Sequence, residues 1–437
     1  MAIRIGMVQL GCSKNRVDGE IMLGTLRDRG CEIVSDPAQA DVVIVNTCGF
    51  IESAKQESID AILEAAQYKK TGRLKKLLVS GCLSQRYPRE LSEGLPEVDA
   101  FIGVNGFDQL NGVLDDMLAG ARPVCMEQGQ RFPSTSRILT QSPFSAYVKI
   151  SDGCDNRCTY CAIPLIRGGY SSRPYDDILR ECRELAAWGV TELTFIAQDT
   201  SRYGSDFEGR PLLLRKLLSD ASRIEGIRWL RVLYCYPDTV DEALIKEISE
   251  NPKICSYLDL PLQHINDGLL RRMNRRGSSE HIKALLDLCR KYGITVRTTM
   301  IVGFPGETDA QFEELLSFVK EQRFDRLGAF AYSPEDGTPA AEMPDQLDEE
   351  TKQARLDALM MAQQAISLEK NTARVGQAYL TLVEGGQNGE YTGRSMLEAP
   401  ESDGIITFRS GRELKAGDYV RVRITDCDAY DLMGVIE

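Results

Sequence analysis

Histidine is almost absent from this chain of 437 residues, which contains only His264 and His281. Zinc sites that combine histidine with cysteine therefore have almost no ligands to draw on. No segment approaches the roughly 18 apolar residues that a membrane-spanning helix needs. The first residues enter a strand pattern directly, without a signal peptide. These absences predict a cytoplasmic protein that makes no contact with a membrane.

Cysteine, by contrast, is abundant, with 13 in the chain. Disulfides are rare in the cytoplasm, and an odd number of cysteines argues against a fully paired framework. The cysteines are therefore expected to be metal ligands or buried apolar residues. With so little histidine available, a metal centre would use thiolates alone, as iron–sulfur clusters and some zinc sites do.

The formal net charge of −13 bears on the class of partner. An acidic surface repels the phosphate backbone of nucleic acids unless a local basic patch compensates for it. A basic protein is therefore the expected macromolecular partner, and tRNA is not expected.

The length predicts two to three domains, and the first is expected in residues 1–121. Strand-like apolar runs occur there at 3–10, 42–46, 77–80 and 100–104. Helical patterns between them predict an α/β domain with a parallel sheet and helices on its faces. The next stretch, residues 122–143, is rich in turn residues and lacks periodicity, so we interpret it as a linker.

Residues 144–371 repeat the β/α alternation. The predicted strands are 146–150, 192–197, 229–233, 257–260, 295–302 and 327–332. Six strands are too few for a closed eight-stranded barrel, so we predict a partial (β/α)6 barrel with its site at the carboxyl ends of the strands. A long polar helix over 348–373 leads out of this barrel.

The last part of the chain, residues 372–437, has a different pattern. Short runs at 378–383, 404–407 and 419–425 are separated by turns that contain glycine. They predict a small antiparallel β-barrel of the OB-like kind.

The clearest chemical signal is the run Cys154-Asp-Asn-Arg-Cys158-Thr-Tyr-Cys161, just after the first predicted strand of the partial barrel. Three thiolates at CxxxCxxC spacing can bind three corners of a four-iron cluster and leave the fourth iron without a protein ligand. The alternative is a zinc knuckle, which needs a fourth cysteine or histidine nearby. The nearest candidates, Cys125 and Cys182, are predicted to lie in the linker and on the apolar face of a helix.

A second set of cysteines is scattered along the N-terminal region, where Cys12, Cys48 and Cys82 each directly follow a predicted strand. The carboxyl ends of parallel strands meet at one edge of a sheet, where α/β proteins collect their ligands. Any one of these cysteines alone would more often be a buried apolar residue. Three of them at equivalent positions predict a second metal centre.

These patterns resemble a known family. The 154–161 run resembles the radical S-adenosylmethionine (SAM) superfamily. Its combination with an N-terminal three-cysteine domain and a small C-terminal TRAM domain resembles the methylthiotransferases, over nearly the whole chain. Three runs are similar to the RimO branch: Leu10-Gly-Cys-Ser-Lys-Asn-Arg-Val-Asp18, Arg167-Gly-Gly-Tyr-Ser-Ser-Arg-Pro174 and Ala197-Gln-Asp-Thr-Ser-Arg-Tyr-Gly204. Gly19, where that branch usually has serine, is a small departure. The Cys-Gln-Met-Asn run typical of the tRNA-modifying MiaB branch is absent.

The resemblance implies two 4Fe-4S clusters and SAM as cofactors. The cluster whose open iron binds SAM would be held by the catalytic residues Cys154, Cys158 and Cys161, called here the barrel cysteines. The second cluster, where sulfur is held, would be bound by Cys12, Cys48 and Cys82, called here the N-terminal cysteines.

The resemblance also assigns two contacts to SAM. Tyr160 corresponds to the aromatic residue beside the adenine, and Gln198 lies where the superfamily contacts the methionyl group. Three further features remain open. His264 either meets substrate or SAM or is a structural histidine, Arg297 points into or out of the barrel, and the run 303–308 is a ligand motif or an ordinary turn.

The implied reaction begins with a radical derived from SAM, which removes hydrogen from a carbon that no general base could deprotonate. Sulfur and a methyl group from a second SAM then join that carbon. The RimO branch implies that the acceptor is the β-carbon of an aspartate in the twelfth protein of the small ribosomal subunit, and an electron donor is required. Two alternatives are a tRNA-adenosine methylthiotransferase and an iron–sulfur protein that only carries electrons.

The charge of residues 372–437 bears on this choice of substrate. They contain seven Lys and Arg against eleven Asp and Glu, a net charge of −4. A tRNA-binding domain would be expected to present a positive face, whereas an acidic domain suits a basic ribosomal protein. The acids form two clusters: Glu398, Glu401 and Asp403, then Asp426, Asp428 and Asp431. Both clusters are expected to face the partner.

Overall fold

The computed structural model of the chain describes residues 2–133 and 137–437. The N-terminal region forms a parallel sheet in the strand order β2-β1-β3-β4-β5-β6, called here the N-terminal sheet. Its elements are β1 (Arg4–Gln9), α1 (Ser13–Asp28), β2 (Glu32–Ile33), β3 (Val42–Thr47), α2 (Glu52–Thr71), β4 (Lys76–Gly81), α3 (Cys82–Arg86), α4 (Pro88–Gly94), β5 (Ala100–Ile102), α5 (Leu110–Leu118) and β6 (Val124–Cys125). The predicted α/β fold of this region is confirmed.

The central strand β3 shows why this sheet forms. Its residues Val42, Val43, Ile44 and Val45 are almost completely buried because helices cover both faces of the sheet. Continuous β-branched runs of this kind are typical of parallel strands buried on two sides. The short edge strand β6 lies inside the stretch interpreted as a linker, and residues 134–136 of that stretch lie outside the described part of the chain.

The middle of the chain forms the open barrel, whose parallel strands follow the order β7-β10-β11 and β12-β13-β14. The elements are β7 (Ser145–Lys149), β8 (Ser151–Asp152), α6 (Ile163–Arg167), β9 (Ser171–Ser172), α7 (Tyr175–Ala187), β10 (Glu192–Ile196), α8 (Leu214–Ser222), β11 (Trp229–Val232), α9 (Glu242–Glu250), β12 (Tyr257–Asp259), α10 (Asp267–Arg272), α11 (Ser279–Lys291), β13 (Thr295–Val302), α12 (Asp309–Gln322), β14 (Arg326–Ala331) and α13 (Glu349–Thr372). A bridge between Leu230 and Ile254 joins the two halves. In the described chain β7 and β14 do not pair, so the predicted partial barrel is confirmed.

The C-terminal barrel is closed, in the strand order β15-β16-β17-β19-β18. Its strands are β15 (Ala378–Gln387), β16 (Glu390–Arg394), β17 (Ile406–Arg409), β18 (Tyr419–Cys427) and β19 (Leu432–Ile436). The predicted small barrel is confirmed, although β17 and β19 pair in parallel while the other pairs are antiparallel.

The C-terminal barrel covers the amino ends of the strands of the open barrel. Arg394 of β16 reaches Glu192, the first residue of β10, with Nη1 2.9 Å from Oε1. Beside this pair, the rings of Trp229 and Tyr419 meet edge to face with centroids 4.9 Å apart. The carboxyl ends of the strands, where the predicted site lies, therefore stay free of the C-terminal barrel.

The first acidic cluster of the C-terminal barrel packs against the rest of the chain. Its members pair across the domain boundary as Glu398–Arg326 (3.1 Å), Glu401–Arg16 (2.7 Å) and Asp403–Arg297 (3.6 Å). Glu398 is almost fully buried. The expectation that these three acids face a partner is wrong, because they neutralise arginines of the open barrel and of α1.

Among the helices that the structure describes, none is both long enough and apolar enough to cross a membrane.

Candidate active site

The barrel cysteines lie on a loop between β8 and α6. Gly153 enters the loop at φ +75°, and a Cβ there would lie 2.1 Å from the carbonyl oxygen of Gly169, so the position requires glycine. The loop then curls back on itself. The Cys154 amide donates to the carbonyl oxygen of Gly168 at 3.2 Å, and the Cys161 amide donates to that of Cys158 at 3.1 Å. This curl holds the three thiols on one short stretch at the carboxyl end of the barrel.

The segment after α10 supports this loop. The Thr159 amide donates to the Met273 carbonyl oxygen at 3.0 Å, and the Asn274 side chain donates to the carbonyl oxygen of Arg157 at 2.9 Å. The guanidinium of Arg275 lies 3.9 Å from the sulfur of Cys158. A half-buried cation at this place stabilises negative charge on the cysteine loop.

The surroundings of the loop oppose ionisation of its thiols. Burial raises the pKa of the Cys154 thiol to about 11 and that of the Cys161 thiol to about 12, and neighbouring charges add to the effect. A metal centre would reverse this, because a coordinating thiol is deprotonated.

Gln198 follows β10 beside the cysteine loop. Both polar atoms of its amide are buried and have no hydrogen-bond partner among the described residues. A buried amide without partners costs roughly 1–3 kcal/mol, and a polar ligand would relieve that cost. The next residue, Asp199, accepts from the side chain of Asn156 at 2.8 Å, which ties this turn to the cysteine loop. The position therefore fits the predicted contact with SAM.

Tyr160 lies on the cysteine loop between Cys158 and Cys161. It packs against an apolar cluster that includes Met273, Phe304 and Tyr332. An aromatic ring on such a surface fits the predicted place beside an adenine.

The N-terminal cysteines meet at the carboxyl edge of the N-terminal sheet. A Cβ on Gly11, which precedes Cys12, would lie 3.5 Å from the sulfur of Cys48. A Cβ on Gly49, which follows Cys48, would lie 3.0 Å from the carbonyl carbon of Cys82. The loops that carry the three cysteines are therefore in direct contact, as the topology predicts.

Side-chain amides that the sequence reasoning missed tie these loops together. Asn15 donates to the carbonyl oxygens of Leu10 and Thr47, at 2.9 and 3.1 Å. Asn46 donates to the carbonyl oxygen of Asn15 at 2.8 Å and accepts from the hydroxyl of Ser80 at 3.2 Å. The signal that could have found them is a polar residue at the end of an otherwise apolar strand, as Asn46 and Ser80 are.

The thiols of this set differ in their electrostatics. Burial raises the pKa of the Cys82 thiol to about 12, and it also raises the pKa of Cys48. Cys12 is exposed to solvent, although protein atoms crowd around it. This crowding opposes its ionisation, but the positive charges of Lys14 and Arg167 outweigh it and lower the pKa of Cys12. Cys12 is therefore the most readily ionised of the three.

A buried charge network joins the two cysteine sets. The guanidinium of Arg167, at the end of α6, donates to Asp18 at 2.8 Å and to Asp152 at 3.2 Å, and lies 3.7 Å from the sulfur of Cys82. Lys149 donates to Asp18 at 2.5 Å. Burial opposes the ionisation of Asp152, but Lys149 and Arg167 hold its pKa well below the ordinary value.

Cys82 also makes an apolar contact across the same boundary. It packs against Ala162 and Ile166, which directly follow the barrel cysteines. The two cysteine sets therefore lie on either side of one buried interface. Lys149 within the apolar strand β7 is the sequence signal that could have revealed the network, since a charge in a buried strand needs a partner.

The open questions about His264 and the 303–308 run have a structural answer. Nδ1 of His264 accepts from the amide of Asn266 at 2.9 Å, and Nε2 donates to Glu307 at 3.1 Å. The amide of Gly303 donates to the same carboxylate at 2.7 Å, and Thr308 caps α12. Both ring nitrogens of His264 are thus used within the chain.

Arg297 also has partners within the chain. Nη1 donates to Asp259 at 3.0 Å, and Nε lies 3.6 Å from Asp403 of the C-terminal barrel. It therefore holds two domains together at the amino end of the open barrel, away from the cysteine loop.

Comparisons with protein families cover each part of the chain. Residues 148–319 match the Radical SAM superfamily, residues 4–103 match the Uncharacterized protein family UPF0004, and residues 375–436 match the TRAM domain. Radical SAM enzymes use a 4Fe-4S cluster and SAM, so both are implied for this chain.

Solved structures with the same fold include two radical SAM enzymes. The methyltransferase TsrM from Kitasatospora setae aligns with a TM-score of 0.58 at 15% identity, covering 78% of this chain and 77% of TsrM. The cobalamin-dependent enzyme OxsB aligns with a TM-score of 0.52 at 14% identity, covering 84% of this chain and 56% of OxsB. These likenesses show the fold.

Curated relatives match from end to end. A protein of Clostridium botulinum (strain Loch Maree / Type A3) is 47% identical over 438 residues, and one of Clostridium acetobutylicum is 46% identical. In both cases the match covers 99% of this chain and 98% of the relative, and each is named ribosomal protein uS12 methylthiotransferase RimO. At this identity and coverage, the chain belongs to the RimO family of methylthiotransferases within the radical SAM superfamily.

Proposed function

We propose that this enzyme adds a methylthio group to the β-carbon of an aspartate in ribosomal protein uS12. The observation that carries the proposal is the placement of two three-cysteine sets on either side of one buried interface, joined by Arg167. A reaction that uses a radical at one centre and sulfur at another requires both centres close to the same carbon. The full-length similarity to relatives named for uS12 supports this substrate over tRNA.

We further propose that the barrel cysteines hold the 4Fe-4S cluster that binds SAM and that the N-terminal cysteines hold a second 4Fe-4S cluster. When bound, these cofactors supply the radical, the sulfur and the methyl group. The chain binds and orients them. Arg275 and Arg167 stabilise thiolate charge, the amide of Gln198 and the ring of Tyr160 contact SAM, and the interface around Cys82 excludes water.

The domain division that goes with this proposal is 1–121 for the N-terminal domain, 122–143 for the linker, 144–371 for the radical SAM core and 372–437 for the TRAM domain. The enzyme would act in the cytoplasm, where ribosomal proteins are made, and would receive electrons from a separate donor. The acids left to attract a basic substrate are those on the outside of the C-terminal barrel, such as Glu413 and Asp426. Both are exposed and form no ion pair with a described residue.

The experiment compares three variants after anaerobic reconstitution, with uS12 and SAM as substrates. Cys154→Ala should lose roughly half of the iron and all formation of 5′-deoxyadenosine. Replacement of all three N-terminal cysteines by alanine should keep SAM cleavage but abolish the methylthio product, measured by mass spectrometry of uS12. Cys125→Ala is the matched control, because this half-buried thiol belongs to neither set, and it should keep both activities.

Three results would contradict the proposal. Methylthio product from the variant without N-terminal cysteines would remove their role in sulfur insertion. A methylthio group on tRNA adenosine, with none on uS12, would favour the tRNA alternative. If SAM cleavage continues in Cys154→Ala at the wild-type rate, the assignment of the barrel cysteines is wrong.

A further inference from the structure

Lys14 is a buried cation with no carboxylate partner in the described chain. Its side chain is on the first turn of α1, and the residue is 8% exposed. The other buried lysines and arginines that the structure describes each lie within 4 Å of a carboxylate: Lys55, Arg137, Lys149, Arg167, Arg231, Lys352, Arg355 and Arg394. Lys14 alone lacks one. A buried charge without a partner is costly, so this ammonium is expected to meet an anion that is not part of the chain.

The surroundings of Lys14 place it against the segment that follows β11, close to Cys12. Its ammonium lies 3.2 Å from the centroid of the Tyr234 ring. The hydroxyl of that ring is 3.4 Å from the hydroxyl of Ser13, next to Cys12. The carbonyl oxygen of Tyr234 accepts from the amide of Thr200, two residues after Gln198. Lys14 therefore lies within a few residues of both the proposed sulfur site and the proposed SAM contact.

We propose that the ammonium of Lys14 binds the side-chain carboxylate of the substrate and so selects an acidic residue for modification. The inference rests on the proposed function, since it names the group that recognises the acceptor aspartate. The β-carbon of aspartate is bonded directly to its carboxylate carbon. An ammonium that holds this carboxylate beside Cys12 therefore presents the β-carbon to the same region. Lys14 is a specificity and positioning residue, and it takes no part in bond making.

The Tyr234 ring contributes to this site without satisfying it. A cation above an aromatic face is attracted by the negative charge density of the ring, and the ring fixes the direction of a flexible side chain. The ring carries no full negative charge, so the ammonium keeps its capacity for a carboxylate. Charge-assisted hydrogen bonds of this kind are the strong ones in proteins.

The test measures binding rather than turnover. The probes are two fluorescein-labelled peptides of uS12 that differ at one position, with the acceptor aspartate in one and asparagine in the other. Their dissociation constants are measured by fluorescence anisotropy on the anaerobically reconstituted full-length enzyme. The wild type should bind the aspartate peptide roughly 10-fold to 100-fold more tightly than the asparagine peptide. In Lys14→Met this ratio should fall to about one.

Three further variants test whether the ratio of the two dissociation constants depends specifically on Lys14. Arg16→Met is the matched control, because it removes a cation from the same turn of α1, but one that is paired with Glu401. It should keep the wild-type ratio. Lys14→Arg preserves the charge and should keep a preference for aspartate, whereas Lys14→Gln should lose it. These two variants decide the question even if Lys14→Met does not fold.

The same variants distinguish binding of the substrate carboxylate from two other roles of Lys14. An unchanged ratio in Lys14→Met and Lys14→Gln, with a change in iron content, would mean that Lys14 only neutralises cluster thiolates. A loss of substrate-free SAM cleavage in Lys14→Gln would mean that the ammonium serves SAM instead. Either result overturns the inference alone. A wild type that neither binds nor modifies the aspartate peptide would refute the proposed function, and the inference would fall with it.

Discussion

Replacement of Arg394 by Met should loosen the attachment of the C-terminal barrel to the open barrel. The guanidinium of Arg394 donates to both carboxylate oxygens of Glu192, and both side chains are almost completely buried. Methionine has a similar length but no charge. The variant therefore leaves the buried Glu192 carboxylate with the hydroxyl of Ser145, which donates to it at 2.8 Å, and with Arg231 as the remaining cation, whose Nε is 3.6 Å away.

The expected loss of unfolding free energy in Arg394→Met can be obtained in two ways. Burial opposes the ionisation of Glu192, but Arg394, helped by Arg231, lowers its pKa from 4.5 to about 2. A pKa lowered by about 2.5 corresponds to roughly 3 kcal/mol. Independently, removal of one partner of a buried ion pair costs about 3–5 kcal/mol. Because Arg231 remains, we expect the free energy of unfolding at pH 7 to fall by about 3 kcal/mol.

The pH dependence follows from the same pKa. Because the folded-state pKa of Glu192 lies below its ordinary value, the stabilisation is complete above about pH 4.5. It is lost as the pH falls from 4.5 toward 2. The difference between wild type and Arg394→Met should therefore shrink across this interval.

Trp229 provides the assay, because it packs against Tyr419 at this domain contact. The other tryptophan, Trp188, is half exposed, and its replacement by phenylalanine in every variant leaves one reporter. Urea unfolding followed by tryptophan fluorescence then gives the stability of the contact.

Arg409→Met is the matched control for this experiment. Arg409 pairs with Glu390 on neighbouring strands of the same barrel, and the two side chains are 79% and 65% exposed. Exposed pairs contribute roughly 0–1 kcal/mol, so this variant should change little. Equal losses in Arg394→Met and Arg409→Met would refute the reasoning. The double variant with Glu192→Gln should recover much of the loss, because it removes the buried charge.

Two further predictions concern His264 and the exposed acids of the C-terminal barrel. His264→Asn should lower the free energy of unfolding by about 1–3 kcal/mol, because it weakens the contact with Glu307. The KM for SAM should stay unchanged. A raised KM would instead assign the imidazole to the cofactor. Reversal of Glu413 and Asp426 to lysine should slow association with uS12 most at low salt, since exposed charges are screened over about 10 Å at 0.1 M. Stopped-flow measurement of the association rate across a salt series tests this, with Glu64→Lys on α2 as the control. Coincident curves for the double variant and the wild type would show that the acids are only solvated.

The strands that the sequence predicts best are those buried on both faces, such as β3 and β4, because their apolar runs are continuous. The strands it misses include β6, β8, β9, β16 and β19. The first three contain two residues each, too few to show periodicity. In β16 glycine and charged residues surround a single large apolar residue, Tyr391, and this strand forms because its neighbours on both sides pair with it.

The cysteines of the candidate site are predictable because topology brings the ends of parallel strands together. The partners of charged side chains are not. The net charge of the C-terminal region can be counted, but the burial of Glu398 depends on Arg326, and Glu401 is paired with Arg16, 385 residues away. Lys14 is an ordinary polar residue in the sequence, and its isolation is visible only when every other buried cation is seen with a carboxylate.

The contacts of α1 also determine the order in which the enzyme is completed during synthesis. Asp18 contacts Lys149, which is made 131 residues later, and Ser13 approaches Tyr234 after 221 residues. Arg16 can form its ion pair only after Glu401, close to the end of the chain, has been synthesised. Contacts between such distant residues form slowly, because long loops must close first. Cys12 is synthesised early, but the contacts of the helix that follows it are complete only when the last domain has left the ribosome. The growing chain therefore carries this thiol without its final surroundings throughout most of translation.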